Sequence, residues 1–306
     1  MTRISLVQDF IKSGDKSVFF PFYDDGKQVA EAPLCGMTLK AALSMRFRWA
    51  ETNPVREAFF RELCAGAGAG AGNCVSTGGA EGSDGDSCAR GAGACAGREL
   101  TPVPVQLDHT HIVYAVDGPE DTRGKIGDGI ITQNYALVPT VTVADCVPIY
   151  LWEPVKGVFG IVHSGWKGTG IAADAIKLAG EKYGSRPQDF YVCIGPHIGD
   201  CCYVVNEERA GFFAREFCEE CVAPLEEGAS VKVTWNNGGG KLYRLSLTKA
   251  NVAAIKKIGV DDKRITICTD CTACSPGEVF GSNRRETAAA GRPDMFTVMA
   301  AFVKYQ

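Results

Sequence analysis

Apolar and polar positions along this chain repeat with two different periods. SVFFPFYDD near the start and APLCGMTLK after it carry the period of two expected of half-buried strands. Asn53-Pro54 opens a helical stretch, NPVREAFFRELC, with Asn as N-cap and Pro at the first helical position. Further strand-like runs recur at 102–107, 111–116, 129–133, 140–152, 157–163, 190–194, 231–235, 264–269 and 295–303. Helical patterns lie between them near 168–183, 206–222 and 246–258. In the first, Ile171, Ala172, Ile176, Leu178 and Ala179 make an apolar stripe that Gly184 ends. In the second, Asn206 is the N-cap and acidic residues fill the first turn, which suits the helix dipole. Strands outnumber helices, and several follow one another directly. The pattern predicts an α/β (α plus β) chain with mixed sheets in layers.

One segment breaks the pattern. From Ala65 to Gly97 the composition collapses into a Gly/Ala/Ser tract that cannot bury a core. Strand-like sequence resumes at once after it, so residues 1–306 are expected to form a single domain carrying 65–97 as a surface insertion. The three cysteines of the tract, Cys74, Cys88 and Cys95, are irregularly spaced and lack a histidine, which favours loop thiols over a metal site.

Composition narrows the function classes. The net charge of −4, with Lys and Arg scattered, argues against nucleic acid as a partner. No continuous apolar run opens the chain, and Asp145 interrupts the longest candidate span, so a soluble cytoplasmic protein is expected. Fourteen cysteines in a chain of this length are expected to be reduced, most of them small buried hydrophobes.

The chemistry concentrates in TVADCVPIYLWEPVKGVFGIVHSGWKGTG at 142–170. Cys146 follows an apolar strand and Asp145, and His163 closes a second strand. A cysteine and a histidine so placed serve as nucleophile and base, or as two ligands of a metal. In LDHTHIV, His109 and His111 stand two apart and would share one face of a strand, so either could be a third ligand. One Cys and two His leave a tetrahedral position open, as catalytic zinc sites do. The turn Ser164–Gly170, with Lys167, joins a strand to a helix and could hold an anion on backbone N–H groups. Arg284 and Arg285, beside a Gly/Ser turn, are further anion-binding candidates. Cys201 and Cys202 are adjacent and would point to opposite sides of a strand, which argues against joint metal binding. Cys268, Cys271 and Cys274 repeat a CxxC spacing but lack a nearby fourth ligand, so no closed cluster is expected there.

TVADCVPIYL, GIVHSGWKGTG, IGPHIGDCCY and GSNRRE together resemble, in order, motifs of the YfiH-type polyphenol oxidoreductase laccase domain family over roughly residues 100–303. The family patterns are TADC(L/V)P, HAGWRG, GPAIGPCCYEV and SxRRD, preceded by a QVHG-like motif. The resemblance implies a four-layer α/β/β/α fold. It also implies a zinc held by His109, Cys146 and His163, with His109 on the first motif histidine although Leu-Asp-His replaces Gln-Val-His. Lys167 replaces the usual Arg, His197 and Asp200 interrupt the Gly-Pro loop, and Val204 stands where Glu is common.

The implied activity is phosphorolysis of purine nucleosides such as adenosine, inosine, guanosine or methylthioadenosine, and the same site could also deaminate adenosine. Cys146 and His163 would be catalytic, Asp145 would orient a ligand or substrate, and Ser164, Lys167, Arg284 and Arg285 would bind substrate. The sequence argues against a literal multicopper oxidase and against copper as the cofactor, because four histidines cannot furnish both a type-1 copper and a trinuclear cluster. Two other readings compete. One is a thiol hydrolase of amides or peptidoglycan precursors, with Cys146 as nucleophile. The other is a non-enzymatic module that senses a purine or an oxidant. Assembly state is not legible.

Overall fold

The computed structural model describes residues 1–13, 17–29, 39–44, 46–48, 100–226, 240–291 and 296–305. The predicted helix at 53–64, the tract at 65–97 and the predicted strand at 231–235 lie outside the described residues.

Two mixed sheets stack face to face. The seven-stranded sheet runs, edge to edge, Thr2–Ile4, Ile265–Cys268, Tyr191–Ile194, Val147–Glu153, Val158–Ser164, Gly129–Thr132 and Val113–Ala115. Its central strands pair antiparallel and its outer ones parallel. The second sheet is built on the strands Thr297–Tyr305 and Leu137–Val143, flanked by Leu39–Ser44, Ser17–Phe20 and Thr101–Pro104. Tyr150, Trp152, Phe159 and Ile161 of the first sheet pack against Val141, Val143, Met299 and Ala301 of the second. The buried Tyr150 hydroxyl donates to the Ala42 carbonyl at 2.9 Å, so its polar end is satisfied across the two sheets.

The opposite face of the seven-stranded sheet is covered by the helices Ile171–Tyr183, Glu207–Glu216 and Leu247–Lys257, which bury Ile171, Ile176, Phe213 and Ile255 against it. These helices end where their chemistry directs. Asn206 and Ser246 cap by accepting the N–H groups of Arg209 and Lys249, and Gly184 takes the left-handed conformation that stops the first helix.

The mixed α/β layering is the fold that the sequence pattern implied. One difference shapes the site. The run expected as a single strand over 140–152 divides into Leu137–Val143 in one sheet and Val147–Glu153 in the other. The chain crosses between sheets at Ala144–Cys146, where Asp145 adopts φ 78°, a left-handed conformation that a short polar side chain tolerates better than most. The mouth of this crossover is where the chemistry sits.

Candidate active site and metal centre

Cys146 leaves the crossover and His163 stands at the end of the neighbouring strand, diagonally across from it, since Val147 pairs with Ser164 and Pro148 with His163. His109 arrives from the segment before Val113–Ala115, in a left-handed conformation at φ 57°. The donor atoms of His109, Cys146 and His163 all lie within 4.8 Å of one another. Cys146 Sγ is 3.7 Å from His109 Nε2, and the two imidazole rings meet edge to face at 4.9 Å.

A residue that sequence reasoning missed holds this group together. Asp128 is completely buried and accepts from His163 Nδ1 at 2.8 Å. It also accepts the backbone N–H of His109 at 3.0 Å, and the N–H and hydroxyl of Thr110 at 2.6 and 2.8 Å. Burial alone would raise its pKa, but the hydrogen bonds from His163 and Thr110 hold the carboxyl at about 2. One carboxylate therefore fixes the two histidine-bearing segments and turns His163 Nε2 toward Cys146. The available signal was an acid immediately before an apolar strand, flanked by Gly127 and Gly129.

The same bonds explain why His109 and His111 do not share a strand face. Asp128 captures backbone donors that a sheet ladder would need, so the strand starts only at Val113. His111 turns outward, with Nδ1 on Asp174 at 2.7 Å and Nε2 on the Lys167 carbonyl at 3.0 Å. His109 is the member of the group.

Close approach depends on Gly165. A Cβ there would stand 2.6 Å from His109 Cδ2 and 3.2 Å from Cys146 Sγ. Charge is shared across the group. Burial opposes ionisation of Cys146, but the adjacent His163 and His109 bring its thiol down to about 7. Burial likewise opposes the charged form of His163, which the Cys146 sulfur and the Asp128 carboxylate raise to about 9.

The group lies on a cleft of about 530 Å³ whose walls include Trp166, Lys167, Tyr203, Leu247, Arg284 and Phe296. Arg284 stands 5.4 Å from the Tyr203 ring centre, and burial together with the like charge of Arg209 pulls its guanidinium below the ordinary value. Arg209 itself lies 4.0 Å from the Trp166 ring centre, and Lys167 Nζ approaches that ring at 5.6 Å.

The remaining sequence candidates separate. Asp145 is buried, accepts from Thr272 Oγ1 and the Arg284 N–H at 2.6 Å each, and is not a member of the donor group. It anchors the start of the helix Asn283–Ala290, and burial raises its pKa. Ser164 is fully buried and donates to Asn251 Oδ1 at 2.9 Å, away from the residues lining the cleft. Asn251 Oδ1 also receives the Gly170 N–H at 3.2 Å, so the glycine turn spends that donor internally. Arg285 donates to the carbonyls of Thr272 and Phe280 at 2.7 and 2.6 Å and braces the fold.

A family model described as multi-copper polyphenol oxidoreductase laccase matches residues 92–300. The chain belongs to this family. Members with related sequences include the purine nucleoside phosphorylase YlmD of Geobacillus stearothermophilus, 33% identical over 167 residues, which are 54% of this chain and 57% of that protein. The protein of the same name from Bacillus subtilis is 32% identical over 180 residues, 58% of this chain and 60% of its own length. The match thus spans less than two thirds of either relative. In fold, the chain is similar to the hypothetical protein YfiH of Bacillus licheniformis, with a TM-score of 0.63 at 21% identity, covering 87% of this chain and 92% of the other. Within this laccase-like family the present chain has two imidazoles and a thiol converging on one point, a donor set that fits a transition metal.

Proposed function

We propose that this chain is a zinc-dependent purine nucleoside phosphorylase, with adenosine deamination as a second reaction of the same cleft. The observation that carries the reading is the convergence of His109, Cys146 and His163 on a cleft that also holds the basic residues Lys167 and Arg284. Zinc suits one thiolate and two imidazoles, and His163 is already committed through Nδ1 to Asp128, which leaves Nε2 for a metal. When bound, zinc supplies Lewis acidity and an exchangeable coordination position.

The chain's own residues account for the rest. Arg284 and Lys167 hold phosphate, because a partly desolvated guanidinium and an ammonium recover solvation from a dianion. Tyr203, Leu247 and Phe296 offer aromatic and apolar surface to the purine. Phosphate oxygen bonds to ribose C1′ as the C1′–N9 bond breaks. The electron pair leaves with the base, and the proton that phosphate gives up ends on it. Anchoring phosphate and nucleoside in one cleft makes this bimolecular step effectively intramolecular.

The decisive experiment follows base release from inosine and adenosine with and without phosphate, alongside the zinc content. Phosphate-dependent release that disappears in Cys146→Ala and His163→Ala is the expected result. Turnover of metal-free protein through a covalent adduct on Cys146 would replace this reading with a thiol hydrolase. Full zinc occupancy without turnover of any nucleoside would leave a binding module.

A further inference from the structure

Cys201 and Cys202 stand in the turn before Tyr203, and Cys271 and Cys274 stand in the turn after the strand Ile265–Cys268. Sequence spacing argues against metal at either pair, and both arguments fail on the tertiary structure. Adjacent side chains diverge in a strand, but Cys201 and Cys202 occupy a turn, where they converge. The CxxC repeat supplies only Cys271 and Cys274, since Cys268 points away into the core between the sheets, and the other two thiols come from this distant loop.

The four sulfurs of Cys201, Cys202, Cys271 and Cys274 all lie within 4.8 Å of one another, with Cys201 and Cys274 at 3.6 Å. Zinc–thiolate bonds of about 2.3 Å in a tetrahedron place neighbouring sulfurs about 3.8 Å apart. An iron–sulfur cluster needs room for several irons and sulfides between its cysteines, which so tight a group does not leave. The Gly199 N–H donates to Cys271 Sγ at 3.2 Å, the support that a thiolate ligand takes from its surroundings. Cys202 and Cys271 are buried and Cys201 and Cys274 half-buried, so the group is closed on the inside and reachable from outside.

We propose that Cys201, Cys202, Cys271 and Cys274 form a second metal site, a closed four-thiolate zinc centre distinct from the His109–Cys146–His163 group. Its task is to staple two loops that shape the cleft. Tyr203, next to Cys202, lines the cleft, and Thr272, next to Cys271, donates to the Asp145 carboxylate of the crossover. The Thr272 N–H also donates to the His197 carbonyl at 3.0 Å, tying the same two loops together. A closed four-sulfur shell offers no position for substrate, which makes the centre structural. The inference stands independently of the substrate.

The test uses tag-free protein, purified under reducing conditions and loaded with zinc or cobalt(II). Cys201→Ser/Cys274→Ser is expected to hold one metal ion fewer per chain than the wild type and to melt at a lower temperature. Cys218→Ser, outside both groups, should keep the wild-type content. His163→Ala loaded with cobalt should still show the intense thiolate charge-transfer bands of a sulfur-rich tetrahedral site. Should the double variant fail to fold, X-ray absorption on the wild type decides. More than two sulfurs per zinc on average is the expected result, and one sulfur per zinc overturns the proposal. Equal metal content in wild type and a folded double variant, or a Cys201–Cys274 disulfide in the reduced, zinc-loaded protein, would also overturn it.

Discussion

Asp128 and His163 are joined twice: the His163 N–H donates to the Asp128 carbonyl at 2.7 Å, and the His163 ring donates to the Asp128 carboxylate at 2.8 Å. The backbone and the imidazole of His163 are thus set by a single acidic residue, which also holds His109 by its N–H. Removing the carboxylate charge should weaken metal binding without changing shape. Asp128→Asn is expected to lower zinc affinity about 10–100-fold, the usual cost of losing such a partner, measured by competition with a chelator.

The same carboxylate predicts an acid response. Its folded pKa of about 2 lies below the ordinary carboxylate value of 3.8, so its contribution is present above pH 3.8 and is lost as pH falls toward 2. The shift corresponds to about 2 kcal/mol. Chemical denaturation from pH 5 to pH 2 should show the wild type losing roughly that much more stability than Asp128→Asn. Equal slopes for the two proteins would contradict the assignment.

Gly165→Ala should disconnect the donors. The added Cβ would collide with His109 Cδ2 and press on Cys146 Sγ, with no flexible side-chain end to give way. The expected protein keeps its circular dichroism spectrum and loses most of its zinc and turnover. A variant with full zinc content would show that the loop yields more readily than the packing implies.

Metal-free protein should reveal the electrostatics of Cys146. A neighbouring imidazolium favours the thiolate, so its deprotonation moves down to about 7 from 9.0. The rate of iodoacetamide alkylation at Cys146 should therefore rise with pH through a midpoint near 7, and zinc should suppress it. In His163→Ala the midpoint should return toward 9, because the stabilising cation is gone.

Arg284→Ala should spare metal and disturb phosphate. Losing a charge-assisted hydrogen bond, about 1.5–3 kcal/mol, predicts a roughly 10–100-fold rise in the KM for phosphate with unchanged zinc content. Arg284→Lys should recover part of the loss. A change confined to the nucleoside KM would move Arg284 to the purine side of the cleft.

Much of the architecture was legible in the pattern. The strands around 129–132, 158–164, 191–194 and 265–268 and the helices Ile171–Tyr183 and Leu247–Lys257 fall where periodicity put them, while the helix expected over 206–222 starts after its Asn206 cap but ends at Glu216. Short elements such as Val204–Asn206 and Leu242–Leu245 escaped, because three or four residues carry too little alternation to stand out. So did the division of 140–152, since the break at Asp145 reads the same whether the chain stays in one sheet or crosses to the next.

By itself the sequence determined the layered mixed fold and the supply of chemistry: four histidines, a strand-end Cys146, a strand-end His163 and a glycine turn between strand and helix. Side-chain type and local period are written in neighbouring residues, so they can be read without a structure. Tertiary structure alone decided which residues meet. It chose His109 over His111, withdrew Ser164 and Arg285 from the cleft, installed Asp128 behind His163, and gathered four cysteines from two distant loops. These pairings depend on where sheets cross and how turns aim their side chains, and no local spacing records that.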